Sequence, residues 1–192
     1  MSPRVGLDGP TVLRAAAELA DASGYDQLSL GALAERLQVR TPSLYNHVQG
    51  LPALKRMLAL HGLERLRDAM ASSAVGKSGD AAVVAMGEAY VGFARAHPGV
   101  YEATFRSTDP ADEALSRASF AVVQVVMKVL EAFELEEEVA LHQIRGFRSL
   151  LHGFASIERA GGFGMKLDAN VSFRMLLDTY LAGLRVVAGR KG

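Results

Sequence analysis

Residues 40–47, Arg-Thr-Pro-Ser-Leu-Tyr-Asn-His, crowd hydrogen-bonding side chains into a very short span. Thr41, Ser43 and Tyr45 can donate to phosphate oxygens, while Asn46 or His47 can reach base edges in a DNA major groove. Arg40 adds charge at one end. Leu44 and Val48 are four apart and share a helical face, so they can pack inward and leave Pro42, Ser43, Asn46 and His47 outside, with Tyr45 at the border. A helix N-terminus here would add free N–H groups and partial positive charge, which suit a phosphate. This is the chemistry of binding.

Reaction chemistry finds no comparable pattern. There is no His-Glu-x-x-His, no Gly-x-Ser-x-Gly and no phosphate-binding glycine loop. Glu138 and His142 stand at i, i+4, one residue too far for the Glu-x-x-His of a di-iron bundle, and no second copy occurs. The chain has no cysteine, which removes disulfides, thiolate zinc sites and thiol catalysis. No metal and no cofactor is expected, and the chain reads as a non-enzyme.

The short polar segment needs elements to hold it. Helical periodicity dominates the sequence, with no alternating strand pattern. A first helix is expected from about Thr11 to Ser23, burying Leu13, Ala16, Ala17, Leu19 and Ala20, with Gly24 as a left-handed cap. Ser29 can cap a second helix carrying Leu30, Leu33 and Leu37. The break Gln38-Val39-Arg40 follows, and Thr41 is placed to cap a third helix with Pro42 at its first position. Two short helices across a tight turn form a helix-turn-helix pattern. A long helix is expected from near Leu51 to Ser73, and Asp80 can cap another running to His97. A short helix follows Pro98. After the loop RSTDP, helices are expected over about 111–133, 136–160 and 169–188. The fold class is therefore all-α, with about nine helices.

Net charge is zero, from 21 basic and 21 acidic residues. The distribution is uneven. From Gln27 to Leu60 the basic residues Arg36, Arg40, Lys55 and Arg56 face the single acid Glu35, whereas from His61 onward 15 basic residues meet 16 acidic ones. The positive excess surrounds the polar segment, as DNA contact requires. The start MSPRVGLDGP has no apolar signal region, and no run is long enough to span a membrane. A soluble, cytoplasmic protein with no membrane partner is expected.

The segment AAAELADASGYDQLSLGALAERLQVRTPSLYNHVQGLPALKRML resembles the DNA-binding domain of the TetR family of ligand-controlled regulators. The likeness rests on Ala-Ala before an apolar helix, Gly-Tyr after it, Leu-Ala in the second helix, Leu-Tyr-x-His in the third, and Leu54 beyond. It implies a helix-turn-helix domain over 1–50 and a long linking helix from about 51. It also implies a ligand-binding and dimerisation domain over 51–192. By position it nominates Arg40, Thr41, Pro42, Ser43, Tyr45, Asn46 and His47 for double-stranded DNA. Three positions depart from the pattern: Gln38 stands where the turn usually has Gly, Leu51 where many members have a basic residue, and Gly31 where some have Arg. Lys55 or Arg56, one turn beyond Leu51, are the substitutes for that missing cation.

The resemblance extends to function. It implies a homodimeric repressor released from a near-palindromic operator by a small apolar effector. Tyr90, Phe93, Tyr101, Phe105, Phe120 and Met127 would line the bundle interior, with Tyr90, His142, Arg145 and His152 as its polar groups. For the dimer, the apolar stripes nominate Phe147, Leu150, Phe154 and Ile157 on one helix and Phe173, Leu177, Tyr180 and Leu184 on the next. The stretch RSLLHGFASIERAGGFG resembles one effector-domain subgroup with a His-Gly pair, although Leu151 stands where that subgroup often has Trp. Two rival classes remain: a protein-interaction module whose DNA binding has degenerated, and a bundle enzyme.

Overall fold

The computed structural model describes residues 7–107, 109 and 111–189. The first six residues of the start and Thr108 and Pro110 of the RSTDP loop lie outside the described residues. Among the described residues there are nine α-helices and no strand: α1 (Gly9–Ser23), α2 (Leu30–Arg36), α3 (Thr41–Leu44), α4 (Gly50–Ala74), α5 (Gly79–Ala96), α6 (Pro98–Arg106), α7 (Glu113–Leu130), α8 (Glu137–Arg159) and α9 (Ala169–Ala188). Two single 3-10 turns lie at Tyr25–Gln27 and Glu131–Phe133. No described helix is long and apolar enough to cross a membrane.

The helices divide into two compact units. The first comprises residues 1–65 together with 97–118, so it includes α6, which a boundary at residue 50 leaves out. Its core is small and aliphatic, with Val12, Ala16, Ala20, Leu33, Leu44, Leu54 and Leu58 fully enclosed. In α1 the buried stripe is Val12, Ala15, Ala16, Ala17 and Ala20. Leu13 and Leu19, expected inside, are half-buried because the stripe centres on the alanines. Alanine admits the neighbouring helix closely. At Gly99 that approach becomes absolute, since a Cβ there would sit 2.0 Å from the Ala20 carbonyl oxygen.

Helix ends follow local chemistry. Ser29 caps α2, its Oγ accepting from Ala32 N at 3.1 Å. Thr41, by contrast, is the first residue of α3 and not its cap: Arg40 holds that position, with no side-chain bond. The Ser43 N–H that a Thr41 hydroxyl would need already donates to the Arg40 carbonyl at 2.9 Å. Asp80 likewise falls inside the first turn of α5, which starts at Gly79. Gly24 has positive φ (96°) but extended ψ, so it turns the chain without a left-handed helical cap.

The second unit comprises residues 66–96 and 119–192. Here α5, α8 and α9 pack around Met86, Leu151, Leu177 and Leu184. Its rim is fastened by Arg95 on α5, which donates to both carboxylate oxygens of Glu158 at 2.7 Å and to Asn170 at 2.9 Å.

Candidate functional site

Helix α2 ends in a Schellman motif: Val39 N–H donates to the Ala34 carbonyl and Gln38 N–H to the Glu35 carbonyl, both at 3.0 Å. The residue at its centre must be left-handed, and Gln38 is, with φ 55°. At the end of α8 the same pair of bonds is made around Gly161, with φ 69°. A side chain in this conformation costs about 1 kcal/mol that glycine avoids. The tight turn thus forms without the usual glycine, at a cost in strain.

Beyond that turn, Leu44 and Val48 are buried, while Pro42, Tyr45 and Asn46 are exposed and Thr41, Ser43 and His47 half-buried. Tyr45 is 51% exposed, a high value for so large a ring. The segment is short because α3 proper stops at Leu44, yet Val48 N–H still bonds the Leu44 carbonyl at 2.9 Å. A contiguous outer edge of hydroxyl, phenol, amide and imidazole groups is the result. Its chemistry suits hydrogen bonding to a phosphodiester and to base edges.

The charge around this edge differs from the sequence count. Arg36 is held by Glu18 at 2.5 Å. Arg56 grips Asp112 through two of its nitrogens. Lys55 is turned toward Tyr25, its ammonium 4.4 Å from the ring centroid. Lys55 and Arg56 each already have a partner within the first unit, which a phosphate would have to displace. Of the four local cations, Arg40 alone has no ion-pair or ring partner among the described residues. It is exposed and sits at the entry to α3.

The first unit also holds a cluster that no local pattern signals. The Asp21 carboxylate on α1 accepts from the Gly99 and Val100 N–H groups, each at 2.9 Å, and so closes the start of α6. Its other oxygen lies 3.0 Å from His97 Nδ1, and His97 Nε2 lies 3.0 Å from an Arg65 nitrogen on α4. A guanidinium can only donate, so Nε2 accepts and the proton resides on Nδ1, directed at Asp21. Two further contacts tie the end of α6 to the turn at Tyr25–Gln27: Tyr25 OH to Ser107 Oγ at 2.7 Å, and Arg106 to Asp26 at 2.9 Å. Apart from Arg65 and His97, which are 32 residues apart, these partners are separated by 76–82 residues, which is why the sequence conceals them.

The expected effector residues are divided between the two units. Tyr101 and Phe105 belong to the first unit, where their rings meet edge to face at 5.4 Å. Tyr90 and Phe93 are buried in the second unit, Met127 is half-buried, and Phe120 is 53% exposed. His142 and Arg145 stand on the outer surface of α8, not in an interior. His152 is half-buried, and burial, with Arg148 nearby, lowers its pKa. The corrections for Phe120, His142 and Arg145 share a cause: an apolar neighbourhood along the chain does not fix a side chain's phase around its helix.

The same error of phase affects the expected dimer stripe. Phe147, Phe154, Phe173, Leu177 and Leu184 are buried inside the second unit itself, with Phe154 and Phe173 ring centroids 4.8 Å apart. They have no surface to offer a partner. Tyr180 stacks on Phe147 and donates to the Gln143 carbonyl at 3.1 Å; burial pushes its hydroxyl up to about 12. What faces out is the adjacent stripe. On α8 it is Gly146, Leu150, Gly153 and Ile157, with Leu150 and Gly153 half-buried. On α9 it is Val171, Met175, Thr179, Ala182 and Val186, all exposed. Both stripes recur at three- and four-residue spacing and carry no charge.

Comparison with known proteins agrees across nearly the whole chain. Residues 12–48 match the family described as "Bacterial regulatory proteins, tetR family", and residues 83–180 match "Tetracyclin repressor-like, C-terminal domain". An HTH-type transcriptional regulator of Bacillus subtilis, YobS, is 41% identical over 187 residues, covering 97% of each chain. A second HTH-type regulator, Rv0681 of Mycobacterium tuberculosis, is 33% identical over 182 residues, covering 93% of this chain and 82% of the other. Among solved structures, a TetR variant from Acinetobacter baumannii in complex with minocycline superposes with a TM-score of 0.73 at 22% identity, over 97% of each chain. That degree of identity speaks for the fold alone.

Proposed function

The chain belongs to the TetR family of bacterial transcriptional regulators, and on that premise we propose that it is a homodimeric repressor released from a near-palindromic operator by a small apolar effector. It is a DNA-binding regulator and not an enzyme. The observation that carries the repressor reading is the outward edge of α3, where Pro42, Tyr45 and Asn46 stand exposed over the buried Leu44 and Val48. In this reading Arg40, Thr41, Ser43 and Tyr45 hold phosphate, and Asn46 and His47 read bases.

Dimerisation supplies the second head. Two reading edges about 34–36 Å apart meet successive major grooves on one face of duplex DNA. The uncharged outer stripes of α8 and α9 are the surface that fits a second copy, as four helices with small residues at the crossing. An effector that favours one arrangement of the heads weakens DNA binding by its own coupling factor, about 5–150-fold for ~1–3 kcal/mol. The minocycline-bound relative supports a small-molecule effector in this fold.

Selection of bound sequences from random duplex DNA tests the proposal. Wild-type protein is expected to enrich a near-palindromic sequence, and Tyr45→Ala and His47→Ala to lose it. Enrichment of no sequence by the wild type, at low salt and without added ligand, would overturn the repressor reading and favour an interaction module.

A further inference from the structure

The second unit carries an open groove of about 700 Å³ between the end of α4, the turn at Lys77–Ser78 and one face of α7. That volume lies within the roughly 300–1,000 Å³ of small-molecule sites. Its floor is aliphatic, with Ala71, Val125 and Val129 half-buried along it. Helix α7 is apolar on this side without being covered, in contrast to Ile144, Phe147 and Leu151 of α8, which are enclosed.

Every ionisable side chain lining the groove is a cation: Arg67, Lys77 and Lys128. None is committed to a strong partner. Arg67 pairs with its neighbour Asp68, which is exposed, and Lys128 pairs with Glu131, both ends largely in solvent. The Lys77 ammonium rests on the Ser73 carbonyl at 2.7 Å, with no carboxylate partner among the described residues. Exposed pairs of this kind are worth about 0–1 kcal/mol, so an arriving anion can displace them. An aliphatic floor under a rim whose charged lining groups are all cations is complementary to a molecule with an apolar body and one negative end.

We infer that this groove binds an alkyl carboxylate, its chain along Ala71, Val125 and Val129 and its head group between Lys77 and Lys128. The inference rests on the effector reading only for its regulatory consequence, because occupancy is measured on the protein without DNA.

Calorimetric titration of the full chain with dodecanoate, dodecanol and dodecyltrimethylammonium, all below micelle formation, tests it. Dodecanoate is expected to bind saturably, one per chain. Dodecanol and the cation should bind at least about tenfold more weakly, the factor set by one lost charge-assisted contact. The Lys77→Glu/Lys128→Glu variant changes two exposed positions and should keep its unfolding temperature while losing dodecanoate affinity by a similar factor. Val125→Glu, which places a charge in the floor, should lose it as well. Equal affinity for dodecanoate and dodecanol, or for wild type and the double variant, would overturn the inference. Adding dodecanoate to the DNA complex then separates the two readings. Binding without DNA release leaves the site standing and removes this ligand as effector, whereas release prevented by the double variant supports both.

Discussion

Asp21 and His97, on α1 and at the threshold of α6, are joined by a 3.0 Å contact whose proton the Arg65 guanidinium places on Nδ1. The same carboxylate closes the N-terminus of α6. Asp21→Ala removes both functions and should destabilise the first unit by about 2 kcal/mol, the upper range for a lost cap. Asp21→Asn keeps an oxygen for the two N–H groups but turns an amide donor toward a ring nitrogen that already carries a proton. Its loss should fall between wild type and alanine. Urea denaturation of the three proteins gives the order, and an asparagine as stable as wild type would contradict the proton assignment.

Gln38 holds a left-handed conformation that Gly161 holds in the same motif at the other end of the chain. Gln38→Gly should therefore stabilise the protein, by less than about 1 kcal/mol once the added entropy of the unfolded chain is set against the relieved strain. Gly161→Gln should destabilise by a similar amount. A thermal scan of the pair suffices, and a destabilised Gln38→Gly would mean that the glutamine side chain does something the structure does not show.

Gly99 faces the Ala20 carbonyl with no room for a methyl group. Gly99→Ala must separate α1 from α6 and should cost about 1–3 kcal/mol, the range for an overpacked contact. Gly92, with nothing within 4 Å of an added Cβ, is the control. Gly92→Ala in the middle of α5 should be stabilising by up to about 1 kcal/mol from helix propensity.

Because Lys55 and Arg56 are occupied by Tyr25 and Asp112, few cations remain to meet phosphate. The salt dependence of DNA retention should be shallow for this family, and Arg40→Ala should reduce the slope by about one per head. Lys55→Ala should leave the slope unchanged while lowering stability slightly through the lost ring contact. Retention measured from low to moderate salt separates these outcomes.

Acid acts at two places with defined sign. Burial, with Arg65 and His97 nearby, lowers the pKa of His61. The unfolded chain thus takes up that proton first, and stability present above about 6.5 falls as pH drops below it. His61→Gln should flatten this part of the curve. The Arg56 hydrogen bonds, helped by the Leu115 and Ala114 N–H groups, hold the Asp112 carboxyl down at about 2. Its contribution is intact above the ordinary carboxylate value of about 4 and is lost as pH falls toward 2. Asp112→Asn should abolish that second acid transition in a urea midpoint measured against pH.

For the second copy, Met175 is 65% exposed and Leu177 fully buried, though they stand two residues apart on α9. Met175→Glu should convert the proposed dimer to monomer with little change in unfolding temperature. Leu177→Ala should cost about 2–5 kcal/mol instead, as a core truncation. Light scattering and a thermal scan on both variants decide the assignment.

Helix periodicity and breaker residues located every long helix of this chain to within a few residues, and placed Leu44 and Val48 under an outward polar edge. Those features are encoded within one or two turns, so neighbouring residues suffice to read them. Proline at 98 and glycine at 161 act on their own backbone and are legible for the same reason. The tertiary structure decided what periodicity cannot. Helices α8 and α9 each carry two apolar stripes about a quarter- to half-turn apart, and only packing against α5 determines which is enclosed: Phe154 and Leu177 went inside, leaving Ile157 and Met175 out. Long-range charge pairing is equally invisible along the chain. Arg56 meets Asp112 across 56 residues and Asp21 meets Gly99 across 78, so the cations that local composition assigned to DNA were free to find other partners.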